Sequence, residues 1–400
     1  VALIKAAKRP LIIAGGGTIY AGASEELRAL ATATGIPVGD TQAGKGAINF
    51  DHPSAVGGVG STGCDSGNHI ADKADLIIGV GTRYSDFTTA SKTQFKNPDV
   101  KFVNINVTPF DAAKESAEMV VADAREALAA LTEALADYRV EAAYSEEIAA
   151  EKEAWLKATE RCYHLDHGPL PAQTEVFGAL NELMGEEDVV INAAGSMPGD
   201  LQALWQARSP LQYHVEYAFS CMGYEVPAAM GVKLARPEAE VVSIVGDGTY
   251  QMLPMELATV VQENIKVIYV LLQNYGFCSI GALSESRGSQ RFGTKYRQRG
   301  EGSHLADEQV IDGVDIAVNA RSWGLDVLEV HTIEEFKEAY RKAEASDRPT
   351  MIHIETDLYG PNPPGSSWWD VPVSGVSALE STQRAYEDYQ RDRKPQRHYL

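Results

Sequence analysis

The segments VVSIVGDG (residues 241–248) and VIYVLLQNYG (residues 267–276) decide the fold of this chain. Each begins with a short apolar run rich in β-branched residues, which is typical of a strand buried on both faces of a parallel sheet. Residues 254–263 between them favour a crossover helix. Because the carboxyl ends of parallel strands meet at one edge of the sheet, Asp247 and Asn274 are predicted to lie together there.

The residue types at this edge suit a hard cation together with an organic diphosphate. Mg²⁺ prefers oxygen ligands in near-octahedral geometry and leaves positions for phosphate oxygens. The Asp247 carboxylate, the Asn274 amide oxygen and a main-chain carbonyl near Gly276 provide three such oxygens. Gly246 and Gly248 allow close approach to a phosphate and are expected to accept positive φ. The alternative is a tight turn without a ligand, and the second strand that ends in an oxygen-bearing side chain argues against it.

The composition predicts a soluble globular chain of two or more domains, with 44% hydrophobic and 23% charged residues among 400. The formal net charge of -21 argues against binding to nucleic acid or to an anionic membrane, because phosphate groups need a basic face. No apolar stretch reaches membrane-spanning length and no signal peptide is evident, so a cytoplasmic location is expected. The cysteines lack C-x-x-C spacing and are expected to be free thiols.

The alternation of predicted strands and helices indicates the α/β class, with two three-layer domains built on parallel sheets. We predict a first domain over residues 1–138, a charged helical linker over 139–168, a second domain over 169–360 and a tail over 361–400. Predicted strands cover residues 11–14, 36–38, 76–80, 102–106, 189–192, 241–245, 267–272, 326–330 and 351–355, and predicted helices cover residues 23–34, 124–137, 173–184 and 254–263.

Two other groups of residues invite a ligand-binding interpretation. Gly15-Gly16-Gly17 follows the first strand, but it lacks the G-x-G-x-x-G spacing of dinucleotide sites, so loop geometry is the preferred explanation. A second group has the residue types of a metal site, but it lies beside a predicted domain boundary, which favours a structural role. Its members are Cys162, His164, Asp166 and His167.

The Gly-Asp-Gly motif, with Asn274 following 27 positions after Asp247, resembles the hallmark of the thiamine diphosphate (ThDP) enzymes. These enzymes usually carry Asn-Asn where this chain has Gln273-Asn274, a departure that leaves the presumed ligand in place. The resemblance covers nearly the whole chain. Residues 1–138 look like the central domain of acetolactate-synthase-like members, through GIPV (35–38), GKG (44–46), HP (52–53) and ADL (74–76), and residues 169–360 look like the diphosphate-binding domain.

Further motifs resemble the carbon–carbon hydrolases of myo-inositol catabolism, namely SCMGYE (220–225), SIGALSES (279–286), GSQRFGTKYR (288–297) and SWWDVP (367–372). This resemblance implies a ThDP- and Mg²⁺-dependent enzyme that opens a cyclic diketone polyol, trihydroxycyclohexane-1,2-dione, to 5-deoxy-glucuronate. Two alternatives stay open. One is an acetolactate-synthase-like carboligase or decarboxylase, and the other is a module that binds the cofactor without catalysis.

The resemblance also implies roles for individual residues. Asp247, Asn274 and the carbonyl of Gly276 would hold Mg²⁺, and Met222 would support the bent cofactor from below, with ordinary core packing as the alternative for Met222. The diphosphate would contact Gly195, Ser196, Gly246, Gly248 and Thr249. Lys266 is the only basic residue between Pro237 and Ser286. We therefore expect metal, main-chain N–H groups and helix N-termini to hold the diphosphate without an arginine.

The resemblance does not identify the catalytic residue within this chain. Candidates for proton transfer near the cofactor are His214, Glu216 and Glu225, and candidates for substrate contact are Tyr217, Ser284, Glu285, Arg287, Arg291, Lys295 and Arg297. The basic segment 287–299 is equally compatible with a solvated loop and with a lid. Trp368 and Trp369 are expected to anchor the tail rather than to cap the site. Arg83 lies where acetolactate synthases contact a flavin, and a fold position retained without flavin is expected.

ThDP enzymes activate the cofactor with a glutamate from a pyrimidine-binding domain, and no third α/β domain is predicted here. The resemblance implies that this domain precedes Val1, so residues 1–400 alone are expected to be nearly inactive. It also implies a homodimer or homotetramer whose active sites lie at an interface between subunits.

Overall fold

The computed structural model describes residues 1–217, 219–299, 305–310 and 314–397, with the backbone alone for residues 298–299 and 305–310. Two six-stranded sheets organise these residues, and every strand pair within the two sheets is parallel. Buried apolar clusters lie on both faces of each sheet, beneath the flanking helices. The prediction of an α/β chain with two parallel-sheet, three-layer units is confirmed.

The first unit contains the strands β1 (Pro10–Ala14), β2 (Val38–Asp40), β3 (Ala55–Gly58), β4 (Leu76–Val80), β5 (Lys101–Asn106) and β6 (Glu118–Val121). Its helices are α1 (Ala2–Ala6), α2 (Gly16–Tyr20), α3 (Ser24–Thr34), α4 (Asp65–Lys73), α5 (Pro109–Ala112) and α6 (Ala124–Ala134), with short 3₁₀ turns at Gln42–Gly44 and Lys114–Ser116. The strand order is β3-β2-β1-β4-β5-β6. Because side chains alternate along a strand, Ile12 packs on one face of the sheet and Ile13 on the other.

A long helix, α7 (Ala142–Tyr163), leads to the second unit. The strands of the second sheet are β7 (Val189–Asn192), β8 (Tyr213–Val215), β9 (Val241–Gly246), β10 (Ile268–Gln273), β13 (Asp326–Val330) and β14 (Thr350–Glu355), and β11 (Arg297–Arg299) and β12 (Leu305–Val310) form a separate antiparallel pair. The helices are α8 (Gln173–Leu183), α9 (Met197–Leu204), α10 (Glu225–Ala235), α11 (Asp247–Met252), α12 (Glu256–Gln262), α13 (Cys278–Ser286), α14 (Ile316–Trp323), α15 (Ile333–Glu344) and α16 (Glu380–Asp392). The sheet order is β13-β14-β10-β9-β7-β8.

Capping residues explain where several helices begin and end. The Asp123 side chain accepts hydrogen bonds from the first N–H groups of α6, and the Thr332 side chain does the same for α15. Helices α3 and α14 end at Gly35 and Gly324, both of which take the left-handed conformation that favours glycine. These capping residues are visible in the sequence, and they determine where helices that flank the sheets begin or end.

Some predicted elements differ from the structure. The strand predicted at 36–38 lies at Val38–Asp40, because Pro37 has no N–H group to donate within the sheet. The predicted helix 124–137 ends at Ala134, and the predicted crossover helix 254–263 begins at Glu256. The strands β3, β6 and β8 were not predicted from sequence. Each is at most four residues long and carries glycine, charged or polar residues that hide the apolar pattern.

The helix α7 confirms the predicted helix between the two units, but it is more than a charged linker. Tyr144 and Ile148 pack into a core of the first unit, while Trp155 and Tyr163 pack into a core of the second. The indole Nε1 of Trp155 donates a hydrogen bond to Ala203 O at 2.8 Å. A few apolar residues are enough for α7 to pack against both units. Because the rest of the helix is charged, its composition did not indicate this packing.

The tail after residue 360 returns to the first unit. Asn68 Nδ2 donates to Gly365 O at 2.7 Å, and Ser61 Oγ donates to Trp368 O at 3.2 Å. Further along, Trp369 Nε1 donates to Asp86 Oδ2 at 2.8 Å. The predicted tail extends to residue 400, and residues 398–400 lie outside the described residues. The two units are therefore joined twice, by α7 and by the tail.

In the part of the chain that the structure describes, no helix combines the length and the apolar composition needed to cross a membrane.

Candidate functional site

The order of the second sheet reverses at β7, whose two neighbours are β8 and β9. Open parallel sheets bind ligands at such a switch point, in the crevice beyond the carboxyl ends of the strands. Gly195 and Ser196 follow β7, and Asp247 follows β9. In the pairing of β9 with β10, Leu272 lies opposite Gly246, so the chain after β10 reaches the same edge. The topology thus brings the predicted site residues to one crevice.

A cavity of about 550 Å³ occupies this crevice. All nine residues predicted to bind the cofactor line it, and the three predicted metal ligands are among them. The nine are Gly195, Ser196, Met222, Gly246, Asp247, Gly248, Thr249, Asn274 and Gly276. The structure brings these residues together, and their individual roles stay predictions.

The Asp247 carboxylate connects the ends of β9 and β10. Its Oδ1 accepts a hydrogen bond from Gly248 N at 2.7 Å, and its Oδ2 accepts from Asn274 N at 3.2 Å and from Tyr275 N at 2.6 Å. Burial raises the pKa of Asp247 to about 6, although these N–H groups act to lower it. An adjacent cation would favour the charged form. The carboxylate is therefore both fixed in place and suited to a positive partner.

Two other oxygens complete a hard donor set. Asn274 Oδ1 is buried and has no hydrogen-bond partner among the described residues. Leaving such an acceptor unpaired costs about 1–3 kcal/mol. Gly276 pairs with Lys295 in an antiparallel bridge whose hydrogen bonds, Phe277 N to Thr294 O and Tyr296 N to Tyr275 O, do not use the Gly276 carbonyl. A carboxylate, an amide oxygen and a carbonyl fit Mg²⁺ in character.

The glycines around Asp247 act differently from the prediction. Gly246 has φ of -79°, and Gly248 lies in α11 without a positive φ, so the expected left-handed conformation is wrong for both. The reason is that the chain enters a helix directly at Asp247. A Cβ at position 248 would lie 2.8 Å from the Phe277 ring, so close packing requires glycine there. At Gly195 the conformation itself, φ of +91°, favours glycine.

Met222 lines the cavity and is partly exposed. It belongs to none of the buried apolar clusters found among the described residues, in contrast to the core-packing alternative. Gly223 follows it with φ of +96°, and a Cβ there would lie 2.7 Å from Leu253 Cβ. This close turn keeps Met222 in the cavity wall, where a supporting role under the cofactor stays a prediction.

His214 and Glu216 lie beside a second cavity of about 430 Å³ and not beside Asp247. The structure therefore does not bring these two candidates to the predicted cofactor cavity. His214 Nε2 is hydrogen-bonded to Tyr224 Oη at 2.7 Å, and burial lowers the pKa of His214. The carboxylate of Glu216 accepts hydrogen bonds from the loop N–H groups of Phe219 and Cys221. Both side chains thus have local structural partners.

Glu225, the third candidate for proton transfer, begins α10 and has no exposed surface. Its Oε2 accepts a hydrogen bond from Gly223 N at 3.1 Å, while Oε1 is buried without a partner among the described residues. Burial raises the pKa of Glu225 to about 7. It is absent from the lining of both cavities. Glu225 is thus a buried acid whose pKa lies close to neutral pH.

The basic segment 287–299 packs against the protein where its side chains are described. Arg291 Nε forms an ion pair with Glu285 at 2.7 Å, and its guanidinium lies 4.5 Å from the centre of the Tyr359 ring. Lys295 Nζ lies 5.0 Å from the same ring. The side chains of 298 and 299 lie outside the described residues. Of this segment, Arg287 lines the cavity. The cavity thus contains an arginine at its tail side, and the expectation that the diphosphate itself is held without an arginine stays a prediction.

Sequence reasoning missed a polar chain beside the predicted diphosphate site. Ser196 Oγ donates to Gln173 Oε1 at 3.1 Å, and Gln173 Nε2 donates to Asp200 Oδ2 at 2.7 Å. Burial raises the pKa of Asp200 to about 7. Gln173 starts α8 and Asp200 lies in the first turn of α9. The signal available in the sequence was that both polar residues stand at helix N-termini, where anions bind.

The tail contributes to the same cavity. Trp368 and Trp369 line it, and the rings of Trp369 and Phe87 lie 4.9 Å apart. Trp368 stacks on Tyr389 of α16 with ring centres 6.3 Å apart. The two tryptophans therefore anchor the tail, as expected, and also form part of the cavity wall.

The second cavity lies at the switch point of the first sheet, between the ends of β1 and β4. Gly15-Gly16-Gly17 and Arg83 line it, and the Arg83 guanidinium lies 5.8 Å from the centre of the Tyr217 ring. A Cβ at Gly15 would overlap the carbonyl oxygen of Gly81. Close approach of two loops is thus sufficient reason for glycine at this position.

Two family descriptions match the chain. "Thiamine pyrophosphate enzyme, central domain" matches residues 1–131, and "Thiamine pyrophosphate enzyme, C-terminal TPP binding domain" matches residues 193–354. Thiamine pyrophosphate is another name for ThDP. With the two parallel sheets and the cavity at the second switch point, these matches show that the chain belongs to the thiamine pyrophosphate enzymes.

Within this class, the chain is similar to curated proteins named 3D-(3,5/4)-trihydroxycyclohexane-1,2-dione hydrolase. It is 43% identical to hydrolase 2 of one Bacillus cereus strain, 42% identical to the hydrolase of Bacillus cereus (strain AH820) and 41% identical to that of Bacillus anthracis (strain CDC 684 / NRRL 3495). Each alignment covers 97% of this chain and 64% of the relative. The chain thus spans somewhat less than two thirds of the length of these relatives.

Proposed function

We propose that the protein is a ThDP- and Mg²⁺-dependent hydrolase that opens trihydroxycyclohexane-1,2-dione to 5-deoxy-glucuronate by breaking a carbon–carbon bond. The observation that carries the proposal is the single cavity lined by all nine predicted cofactor residues, with Asn274 Oδ1 unpartnered among the described residues. The choice of substrate is supported by 41–43% identity to proteins named for that reaction.

In this proposal, Asp247, Asn274 and the Gly276 carbonyl hold Mg²⁺, which binds the diphosphate. Main-chain N–H groups near Gly195 and Gly248, where two helices begin, would contact the phosphate oxygens. Met222, which lines the same cavity, would support the cofactor from below. The proposed domain division keeps the boundaries 1–138, 139–168, 169–360 and 361–400, and the matched family ranges 1–131 and 193–354 lie within the first and the third of these segments.

When bound, ThDP supplies a carbon nucleophile that attacks a carbonyl and stores the electron pair released on bond cleavage. Cleavage between two adjacent carbonyl carbons requires that the departing carbon take up water and become a carboxylate. The cavity must therefore bind several hydroxyl groups and accept a new negative charge. Tyr217, whose hydroxyl is hydrogen-bonded to Ser85 Oγ at 2.8 Å, offers a fixed polar group in the cavity wall for a polyol.

The assembly of the protein and its compartment are part of the same proposal. We infer a homodimer or homotetramer with active sites at an interface. Large apolar side chains are exposed on segments that border the cavity, including Phe219 at 85% and Ile280 at 59%. Light scattering of the purified protein tests this inference, and a monomer would contradict it.

The four cysteines are free thiols in the structure, which agrees with the cytoplasm as a reducing compartment.

Calorimetric titration of ThDP in the presence of Mg²⁺ tests the binding site. We expect Asp247→Asn, which keeps the size of the side chain and removes its charge, to weaken binding by at least about tenfold, or about 1.4 kcal/mol. Asp247→Ala should act in the same direction. Asp347→Ala, at an exposed position of the same unit, is the matched control and should bind as the unmodified protein does. Unchanged, Mg²⁺-dependent binding by both Asp247 variants would refute the proposed site.

Product analysis tests the reaction. The complete protein, with the pyrimidine-binding domain that the family resemblance implies, is incubated separately with the cyclic dione and with pyruvate, in the presence of ThDP and Mg²⁺. The proposal predicts a sugar acid from the dione and no acetolactate or acetaldehyde from pyruvate. Products from pyruvate alone would indicate a carboligase or decarboxylase, and full cofactor binding without turnover of either compound would indicate a binding module.

A further inference from the structure

We propose that Arg287, together with the indole N–H of Trp368, binds the carboxylate group that bond cleavage creates. The two residues lie where the tail closes the cavity. This inference rests on the proposed function, because it specifies how the same cavity recognises its product. It gives Arg287 a role in specificity. Arg287 belongs to the basic segment 287–299, for which the sequence left two interpretations open, a solvated loop and a lid.

The first argument is the position of Arg287 relative to the metal ligands. Gly276 lies just before α13, and Arg287 directly follows the end of that helix. With a rise of 1.5 Å per residue, the backbone of Arg287 is roughly 13 Å along the helix from Cys278. At that end, Arg287 Nη2 donates a hydrogen bond to the tail carbonyl of Trp369 at 3.3 Å. Arg287 thus meets the cavity from the side of the tail, away from the start of α13.

The second argument is a pair of buried donors without acceptors. Arg287 Nε is buried and unpartnered among the described residues, and so is Trp368 Nε1. Both residues line the cavity. A guanidinium carries five N–H donors, and the bond to Trp369 O uses one of them. A carboxylate is acceptor-only and offers about four lone-pair positions, so it matches donors of this kind.

The third argument is the charge of the cavity. Its charged lining residues, within the part of the chain that the structure describes, are Asp200, Asp247 and Arg287. Asp247 is assigned to the metal. Asp200 is connected to Ser196 through the Gln173 side chain, which is hydrogen-bonded to both residues. A product carboxylate therefore has Arg287 as its cationic partner in this lining. Arginine also suits the task better than lysine, because its planar fork matches a carboxylate with two parallel hydrogen bonds.

The competing assignment is that Arg287 binds the diphosphate. The tail contact disfavours it, since the Arg287 side chain is held by Trp369, which is itself fixed to the first unit through Asp86 at 2.8 Å. The predicted diphosphate contacts lie instead after β7 and β9. If Arg287 binds the product carboxylate, its replacement weakens the binding of a carboxylate ligand. If it binds the diphosphate, its replacement weakens the binding of ThDP. Binding experiments with the two kinds of ligand therefore distinguish the assignments.

The test uses the protein loaded with ThDP and Mg²⁺ and two probes, D-glucuronate and the uncharged sugar D-glucose. Calorimetry measures the affinity of each probe for the unmodified protein and for the Arg287→Gln and Arg287→Lys variants. We expect the unmodified protein to prefer glucuronate to glucose. Arg287→Gln should lose at least about tenfold in glucuronate affinity, and Arg287→Lys should recover only part of it. Arg384→Gln, an exposed arginine of the tail helix, is the matched control and should change nothing.

Two results would overturn the proposal. One is equal glucuronate affinity in the unmodified protein and in Arg287→Gln, including the case in which neither binds it. The other is a loss of ThDP affinity in Arg287→Gln as large as the loss of glucuronate affinity, which would assign Arg287 to the cofactor. Selective loss of glucuronate binding supports the carboxylate site even when the dione is not turned over. Failure of the proposed reaction is thereby distinguished from failure of this assignment.

Discussion

Glu225 shows how a single buried acid makes the stability of the protein depend on pH. Its side chain has no exposed surface, and burial raises its pKa from 4.5 to about 7. The folded state therefore keeps a proton that the unfolded chain loses above pH 4.5. The stability associated with the neutral acid is complete below pH 4.5 and is lost as the pH rises through 7.

Glu225→Gln should remove this pH dependence, because an amide stays neutral. We expect the variant to be more stable than the unmodified protein at pH 8, by up to roughly 3 kcal/mol, and to differ little at pH 4.5. Urea denaturation at the two pH values measures the difference. Glu146→Gln, at an exposed position, should show no such pattern. Equal stability of Glu225→Gln and the unmodified protein at pH 8 would contradict the assigned cause.

The residues at this scale also show how far the sequence could predict the site. Asp247 and Asn274 were predictable because parallel strands bring their carboxyl ends together, whatever the order of the sheet. His214 and Glu216 were misplaced because the short strand β8 was not recognised. Side chains alternate along an extended chain, and here Val215 and Tyr217 reach the Asp247 cavity while His214 and Glu216 line only the other cavity.

At the scale of elements, α7 holds the two units together through a few apolar side chains. Trp155 is the largest of them in the second core, and its indole is hydrogen-bonded to Ala203 O. We expect Trp155→Ala to lower the free energy of unfolding by about 3–5 kcal/mol, through lost burial and a residual cavity. Chemical denaturation measures the change.

The same helix offers a control for that prediction. Lys157 pairs with Glu153 one turn away on an exposed face, and Lys157→Ala should change the free energy of unfolding by at most about 0.5 kcal/mol. Similar stabilities for the two variants would mean that α7 is merely a tether between the units. A large difference between their free energies of unfolding would show that Trp155 contributes substantially to the core.

The tail depends on a glycine where it crosses the first unit. Gly365 has φ of +104°, and a Cβ there would overlap the backbone nitrogen of Asp65. Gly365→Ala should therefore displace the tail and expose α16. We expect trypsin cleavage after Arg384 and Arg391 to become at least about tenfold faster, because cleavage follows the population of the open form. Gly231→Ala is the control, since a Cβ there would meet no atom within 4 Å apart from its chain neighbours and the backbone of its own helix, and its cleavage rate should not change.

For the whole molecule, the proposed site predicts that cofactor and metal act together on stability. A ligand at 100 times its dissociation constant stabilises the folded state by about 2.7 kcal/mol when it binds only that state. We expect ThDP with Mg²⁺ to raise the melting temperature and EDTA to abolish most of the increase. Scanning calorimetry measures both effects. The Asp247→Asn protein should show a clearly smaller increase, because it binds the cofactor and metal more weakly, and an equal increase in that variant would contradict the metal site.

The overall architecture was predictable because both sheets are built from buried, β-branched strands such as β4 and β10, whose apolar runs stand out in any context. The packing of the two units against each other was not. It depends on contacts between residues far apart in the sequence, such as Tyr163 Oη with Leu204 O at 2.7 Å and Gln42 Nε2 with Pro198 O at 2.8 Å. No local pattern distinguishes these side chains from ordinary polar or aromatic residues.

The double connection between the units has a consequence for how the tail stays bound. Because α7 already keeps the units together, docking of the tail is an intramolecular association, for which effective concentrations lie in the millimolar range. The contacts of the tail with the first unit, which include those of Gly365, Trp369 and Asp370, then need only modest affinity to close the cavity wall. The same segment supplied as a free peptide would have to reach millimolar concentration to replace it. The stability of this wall thus depends on the covalent connection of the two units as much as on the surface that the tail buries.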